Sequence, residues 1–180
     1  GKELDSFADM VSFGAAPALA LFNYWQNELN QGFVPSLGNS YIDALLPYSP
    51  LIIAAFAGYR LARFNITEQS KDYFSGLPTP ALALACFALP LASEQYEWAN
   101  IFLTHPMFII LFSILGGLLL VSRIKLFSLK IGSKNKALNI VRIALVVTCI
   151  ILIAALQFLG AFIALFVYLL FSLFTQKIIF

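Results

Sequence analysis

The stretch that decides the fold is LNIVRIALVVTCIILIAALQFLGAFIALFVYLLFSLF, from Leu138 to Phe174. A membrane-spanning helix needs about 20 consecutive, mostly apolar residues. The stretch is long enough for two such helices, Leu138–Leu156 and Phe158–Phe174, with a very short link at Gln157. The sequence therefore predicts that the chain is embedded in a lipid bilayer.

Four further apolar segments precede this pair. They run from about Leu4 to Trp25, Ser49 to Phe64, Leu77 to Ala92 and Pro106 to Val121. The last three are short for a full span. We predict an all-α, polytopic transmembrane helix bundle with six helices, forming a single domain over residues 1–180.

The composition supports a membrane protein. Of the 180 residues, 61% are hydrophobic and 11% are charged, and the mean hydropathy is +0.87. Soluble domains have about 45–50% apolar and about 25% charged residues, so a water-soluble or disordered chain is excluded. The net charge of +2 is small and scattered, which argues against nucleic acid as a partner. Cys86 and Cys149 lie in apolar runs without a nearby ligand-type residue, so neither a disulfide framework nor a zinc site is expected.

The connections between the predicted helices alternate in charge. Residues 23–48 and 93–105 carry acidic residues and no lysine or arginine. The basic residues lie in and beside the other connections: Arg60, Arg63, Lys71, Arg123, Lys125, Lys130, Lys134, Lys136 and Arg142. Because Lys and Arg accumulate on the cytoplasmic side, the start of the first helix and the C-terminus are predicted to be cytoplasmic. We expect an integral protein of a prokaryotic inner (plasma) membrane.

Two local signals concern helix geometry. Pro17 lies inside the first helix, where it removes the hydrogen bond to the Phe13 carbonyl and should bend the helix. The small residues around it, such as Gly14, should let neighbouring helices approach closely. His105 precedes Pro106 and is expected to start a helix.

Asp5 and Asp9 are the most informative polar residues. Four positions apart, they project from one face of an otherwise apolar helix. Carboxylates in membrane helices are costly and usually face a cavity, a partner or an ion. A divalent cation would offset that cost and the mutual repulsion, and oxygen ligands favour Mg²⁺, Ca²⁺ or Mn²⁺. The alternative is that both merely decorate the hydrated end of the helix.

The segment around these aspartates resembles a known signature. Gly1-Lys-Glu-Leu-Asp5-Ser-Phe-Ala-Asp9 has the form G-x3-D-x3-D and is similar to the second half of the CDP-alcohol phosphatidyltransferase signature. The extended string from Gly1 to Pro17, with Tyr59–Asn65 and Phe74–Pro80, resembles the phosphatidylserine synthase branch. The first half of the signature, D-G-x2-A-R, is not in this chain. We therefore expect the sequence to lack an N-terminal part and to be inactive by itself. The resemblance implies eight helices in the intact protein.

The resemblance implies an activity and roles for individual residues. Such an enzyme transfers the phosphatidyl group of CDP-diacylglycerol to L-serine at the cytoplasmic leaflet and gives phosphatidylserine and CMP. It uses divalent metal, Mg²⁺ or Mn²⁺, as two ions. By this resemblance Asp5 is a metal ligand, Asp9 is the catalytic base and a further metal ligand, and Gly1 lets the nucleotide approach the backbone. Membrane lipids are the other partners, and a homodimer is left open.

Arg60 and Arg63 are three residues apart and share a helix face. The functional interpretation is that one binds a lipid phosphate and one the serine carboxylate, since Arg suits bidentate contact with either group. The alternative is a pair of snorkelling anchors at the cytoplasmic end. At the level of the whole protein two other hypotheses stay open: a family member that uses glycerol phosphate or inositol, and a non-enzymatic ion-binding membrane protein or transporter.

Overall fold

The computed structural model describes residues 1–66, 73–127 and 136–179. Lys71, Lys130 and Lys134 of the basic connections lie outside these residues. The elements, in chain order, are α1 Lys2–Met10, a π-helical turn Val11–Ala15, α2 Ala16–Asn30, α3 Ser40–Leu45, a 3-10 turn Leu46–Tyr48, α4 Leu51–Ile66, β1 Tyr73–Ser75, α5 Thr79–Gln95, α6 Glu97–Leu103, α7 Pro106–Val121, β2 Lys125–Phe127 and α8 Lys136–Ile179.

The C-terminal apolar stretch forms the predicted pair of helices. Within α8, Gln157 has φ 49° and ψ −119°, which no helical residue adopts, so α8 consists of two arms, 136–156 and 158–179. The first arm is about 31 Å long at 1.5 Å per residue and matches the hydrocarbon thickness of about 30 Å. Cys149 of the first arm and Ala161 of the second line the same cavity, so the arms pack side by side.

The all-α fold is confirmed, and a helix lies at each of the six predicted positions. Two segments of the described chain, Ser40–Ile66 and Asn139–Leu173, are by themselves long and apolar enough to cross a membrane. A third qualifies if α6 and α7, bent by 69° relative to each other, count as one span. The remaining helices are shorter or more polar than a full span requires. β1 and β2 form one short antiparallel pair, Tyr73 opposite Phe127.

The first helix is longer than predicted and continues through a π-helical turn to Asn30. This turn ends two residues before Pro17, which has no N–H to donate, and the Ala16 N–H donates to the Val11 carbonyl five residues earlier. The bend at Pro17 stays a prediction. A Cβ on Gly14 would lie 2.9 Å from the Cβ of Ala57 in α4, which confirms close helix approach at this small residue.

Polar contacts join the helices at the end of the bundle far from α1. The Tyr24 hydroxyl donates to Asn100 Oδ1 (3.1 Å), and the Gln95 amide donates to Gln157 at the break in α8. His105 starts α7 as predicted, since its Nδ1 accepts the Met107 N–H (3.3 Å). The two acidic connections, residues 23–48 and 93–105, therefore lie at the same end of the molecule.

Arg142 lies in the first two turns of α8, which begins at Lys136, as the predicted helix from Leu138 implied. Its place beside the basic connection did not indicate burial, yet it is only 2% exposed. Its Nη1 donates to Asn139 Oδ1 (3.3 Å), and its Nε has no partner among the described residues. The preference of Lys and Arg for the cytoplasmic side predicts at which end of a helix a positive residue lies. It does not predict whether the side chain is buried.

The other end of the bundle is closed by a tight junction at Gly76. Its φ is +75°, its N–H donates to the Ile124 carbonyl (2.9 Å), and the next N–H, of Leu77, donates to the Leu119 carbonyl (2.9 Å). The junction joins β1, the end of α7 and the start of α5. Glycine fits here because both the positive φ and the lack of space exclude a side chain.

We predict that Gly76→Ala destabilises the protein more than Gly38→Ala does. Both glycines have a positive φ, +75° and +84°, so both variants carry the left-handed strain of about 1–2 kcal/mol. A Cβ at Gly76 would also lie 2.5 Å from the Leu120 carbonyl oxygen, whereas at Gly38 nothing lies within 4 Å. Thermal unfolding midpoints of the purified variants in detergent measure the difference. Equal midpoints would contradict the packing constraint at Gly76.

Candidate active site

A polar cavity of about 310 Å³ lies where α1 begins, α4 ends and α5 begins. All its lining residues come from these three helices and the residue before α5: Asp5, Ser6, Asp9, Arg60, Leu61, Phe64, Asn65, Pro78, Thr79 and Pro80. Two carboxylates, one guanidinium and three neutral polar side chains thus share one space. We refer to it below as the polar cavity.

Asp5 and Asp9 line the polar cavity together, as their spacing predicted. Asp5 is exposed and Asp9, one turn further into the helix, is half-buried. Neither carboxylate makes a hydrogen bond or an ion pair with the described side chains. Both are therefore open to a ligand from the cavity, and their role in binding one stays a prediction.

Ser6 and Asn65 connect the aspartate helix to α4 across the cavity. The Asn65 amide donates to Ser6 Oγ (2.8 Å), and Ser6 Oγ lies 3.1 Å from Asn65 Oδ1. This contact fixes α1 against the end of α4 between the two aspartates. Sequence reasoning assigned neither residue a role, although both lie inside the strings that carried the family resemblance.

Arg60 fixes the backbone at the rim of the polar cavity. Its Nη1 donates to the Ser75 carbonyl (3.0 Å) and to the Leu120 carbonyl (2.7 Å). The side chain is half-buried and lines the cavity. Binding of a substrate phosphate or carboxylate by Arg60 stays a prediction. Its hydrogen bonds to the two carbonyls show that it also holds the backbone together, which the sequence did not indicate.

Arg63, one turn further along α4, donates from Nη1 to the Val121 carbonyl (3.3 Å). Arg60 lines the polar cavity, whereas Arg63 is not among the described residues that line it. Both arginines thus bind carbonyls at the C-terminal end of α7, where positive charge is favourable. The proposed sharing of phosphate and carboxylate between them stays untested.

Gly1 lies at the N-terminus of α1 and its carbonyl accepts the Asp5 N–H (3.0 Å). It is exposed, and a Cβ there would meet nothing within 4 Å. The described residues thus place no atom that would exclude a larger side chain at this position. The predicted approach of a nucleotide to Gly1 stays a prediction.

Pro78, Thr79 and Pro80 line the polar cavity together with the aspartates. Thr79 is buried and begins α5, and the two prolines flank it. These residues are functional candidates that the sequence analysis did not single out. The available signal was their position at the end of the Phe74–Pro80 string.

The donor set of the polar cavity fits part of a metal centre. Within residues 1–66, 73–127 and 136–179 no cluster of three or more His, Cys, Asp or Glu side chains occurs. Asp5 and Asp9 supply two hard oxygen donors on one cavity wall. Mg²⁺ is usually bound by one or two carboxylates together with substrate phosphates and water, so two carboxylates are a suitable protein contribution.

Sequence comparison identifies relatives of known name. The chain is 30% identical over 170 residues to the CDP-diacylglycerol–serine O-phosphatidyltransferase of Helicobacter pylori, covering 92% of this chain and 64% of that protein. It is 36% identical over 125 residues to the protein of the same name from Methanocaldococcus jannaschii, covering 69% and 48%. An archaetidylserine synthase from Methanothermobacter thermautotrophicus is 28% identical over 113 residues, covering 63% and 42%.

The chain spans less than two thirds of the length of each of these relatives. No family model and no solved structure matches the chain. The agreement with the Helicobacter pylori protein extends over 92% of the chain.

Proposed function

Because the chain belongs to the CDP-alcohol phosphatidyltransferase family, in its phosphatidylserine synthase branch, we propose that the whole protein transfers the phosphatidyl group of CDP-diacylglycerol to L-serine. The products are phosphatidylserine and CMP. The single observation that carries the proposal is the polar cavity, where Asp5 and Asp9 of the signature string lie in one space with Arg60. The names of the relatives support serine as the acceptor.

The reaction makes one bond and breaks one. The serine hydroxyl oxygen attacks the phosphorus that bears the diacylglycerol, and the new oxygen–phosphorus bond forms. The bond from that phosphorus to the bridging oxygen breaks, and CMP leaves with the electron pair. A hydroxyl is a weak nucleophile until its proton is accepted, and we assign that proton to the Asp9 carboxylate.

Asp9 is suited to accept this proton by its position. It is half-buried, whereas Asp5 is exposed at the start of the helix. A carboxylate deeper in the cavity is better shielded from water, where electrostatic effects on the reacting groups are stronger. Asp5 and Asp9 together would hold divalent metal, Mg²⁺ or Mn²⁺, and two such ions complete the proposed centre. Bound metal would neutralise the diphosphate and stabilise the departing CMP.

We propose that the remaining cavity residues orient the substrates. Arg60 presents positive charge to the cavity while its Nη1 remains bound to the backbone, so it can attract a phosphate or the serine carboxylate without moving. The Ser6–Asn65 contact holds the aspartate helix in place. Gly1 leaves the backbone beside Asp5 open to the nucleotide.

We further propose that the polar cavity faces the cytoplasm. The protein is a membrane protein, and Arg60, Arg63 and Arg123 lie at the same end of the bundle as Asp5. The acidic Glu97 belongs to the opposite end. The excess of Lys and Arg at the cavity end supports this orientation in an inner membrane.

Substrate dependence tests the proposed reaction. We expect the full-length protein to release CMP from CDP-diacylglycerol only when L-serine and Mg²⁺ or Mn²⁺ are both present. Excess chelator should abolish the release because the diphosphate would no longer be neutralised. Activity with glycerol phosphate or inositol and none with serine would contradict the acceptor assignment. No CMP release with any alcohol would favour an ion-binding or transport protein.

Substitution of the aspartates tests their roles. Asp9→Asn keeps the side-chain size but removes the proton acceptor, so serine-dependent CMP release should fall by about 10²–10⁴-fold. Asp5→Asn should instead raise the Mg²⁺ concentration needed for half-maximal rate, with partial recovery at excess metal. Glu3→Gln is the matched control, since Glu3 is an exposed acid on the same helix outside the polar cavity, and should retain activity. A correctly folded Asp9→Asn variant with most of its activity would exclude Asp9 as the base.

Cysteine labelling tests the orientation. In a full-length variant with every native cysteine, including Cys86 and Cys149, replaced by alanine, we introduce Glu3→Cys or Glu97→Cys at exposed positions of opposite ends. A membrane-impermeant maleimide applied to intact cells should label position 97, and should label position 3 only after permeabilisation. The reverse pattern would contradict the proposed cytoplasmic site.

A further inference from the structure

Thr79, the first residue of α5, is buried in the wall of the polar cavity. It is 6% exposed, whereas the other polar residues that line the cavity are half-buried or exposed. Among the described residues, neither its hydroxyl nor its backbone N–H has a hydrogen-bond partner. Buried polar groups without a partner cost free energy, and a ligand in the polar cavity would satisfy both groups of Thr79.

The start of α5 favours an anion as that ligand. Pro78 and Pro80 carry no N–H. The N–H groups of Ala81 and Leu82 both donate to the Pro78 carbonyl (3.1 and 3.3 Å). Among residues 78–82, all of them described, the N–H of Thr79 is thus the free donor, and it lies beside the hydroxyl of the same residue. Since α5 is 17 residues long, its N-terminus carries the partial positive charge of a full helix.

Arg60 brings a full positive charge to the same region. Its Nη1 donates to the carbonyl of Ser75, four residues before Thr79 (3.0 Å), and a Cβ on Gly76 would lie 2.8 Å from this nitrogen. Arg60 and Thr79 both line the polar cavity. The cavity therefore combines the carboxylates of α1 with anion-binding groups from α4 and α5.

We propose that Thr79 binds the carboxylate of the acceptor L-serine, an inference that rests on the proposed function. The hydroxyl and the N–H of Thr79 each donate to the carboxylate, and Arg60 supplies the compensating charge. The lipid diphosphate belongs to the metal held by Asp5 and Asp9, and a free carboxylate is repelled by these two side chains. Thr79 is thus a specificity-determining residue, because it recognises the group that distinguishes serine from a simple amino alcohol.

Removing the hydroxyl in the full-length protein tests the proposal. Thr79→Val keeps the shape of the side chain but cannot donate to a carboxylate. The KM for L-serine should rise by roughly tenfold or more, as for the loss of a hydrogen bond to a charged group, and the KM for CDP-diacylglycerol by less than about twofold. Thr79→Ser keeps the hydroxyl and should stay close to wild type. Thr104→Val is the matched control, since Thr104 is a buried threonine at the other end of the bundle whose hydroxyl donates to the Asn100 carbonyl (2.8 Å).

An acceptor analogue shows which part of serine Thr79 contacts. L-Serinamide has the hydroxyl and the amine of serine but no carboxylate. The ratio of kcat/KM for L-serine to kcat/KM for L-serinamide should fall by roughly tenfold in Thr79→Val and be retained in Thr79→Ser. An unchanged ratio would overturn the proposal. A raised KM for CDP-diacylglycerol with an unchanged KM for serine would also overturn it, because the anion at Thr79 would then be a lipid phosphate.

Equilibrium dialysis with radiolabelled L-serine separates this inference from the proposed function. Purified full-length protein is supplied with Mn²⁺ and CMP but no CDP-diacylglycerol, so that no transfer occurs. We expect Thr79→Val to weaken serine binding by roughly tenfold and Thr79→Ser to restore it. This pattern in a protein that transfers nothing to serine would reject the proposed function and retain the site. Transfer to serine with equal serine affinities in wild type and Thr79→Val would reject the site and retain the function.

Discussion

The architecture of the site depends on the hydrogen bonds that the Arg60 guanidinium makes to two backbone carbonyls. The Leu120 carbonyl is among the last of α7 and has no partner within its own helix. The Ser75 carbonyl belongs to the short strand that precedes α5. By donating to both from Nη1, Arg60 joins three segments that are far apart in the chain, and the polar cavity lies beside this junction.

This arrangement also explains how a half-buried positive charge is tolerated without an acidic partner in contact with it. Carbonyl oxygens at the C-terminal end of a helix carry partial negative charge, and Arg60 and Arg63 donate to carbonyls of this kind. The aspartates are consequently not used as counter-ions for the fold. Asp5 and Asp9 remain open toward the cavity, where they are available to a cation and a substrate.

Much of the fold was predictable because membrane helices are encoded in long apolar runs. The break at Gln157 and the start of α7 at His105 followed directly from the sequence. The shared orientation of Asp5 and Asp9 followed from their spacing of four. The burial of Arg142 and the carbonyl contacts of Arg60 were not predictable, since the partners are backbone atoms or distant helices that leave no pattern in composition. The wall formed by Pro78 to Pro80 was missed for the same reason: it becomes part of the site only through the packing of α5 against α1 and α4.

Pro78 and Pro80 line both the polar cavity and a second, apolar cavity of about 390 Å³ between α5 and α8. This corner shows why a polar and an apolar cavity can adjoin. The first N–H groups of a helix have no partner inside it, and in a bilayer an unsatisfied donor is costly. At the start of α5 the two prolines remove two of these donors, and the N–H groups of Ala81 and Leu82 donate back to the Pro78 carbonyl (3.1 and 3.3 Å). The start of α5 therefore presents few N–H groups without a partner to the apolar cavity. The buried Thr79, between the two prolines, lines the polar cavity. A helix start with ordinary residues would need water or a side chain to satisfy its donors, and the apolar space beside it would then be hydrated.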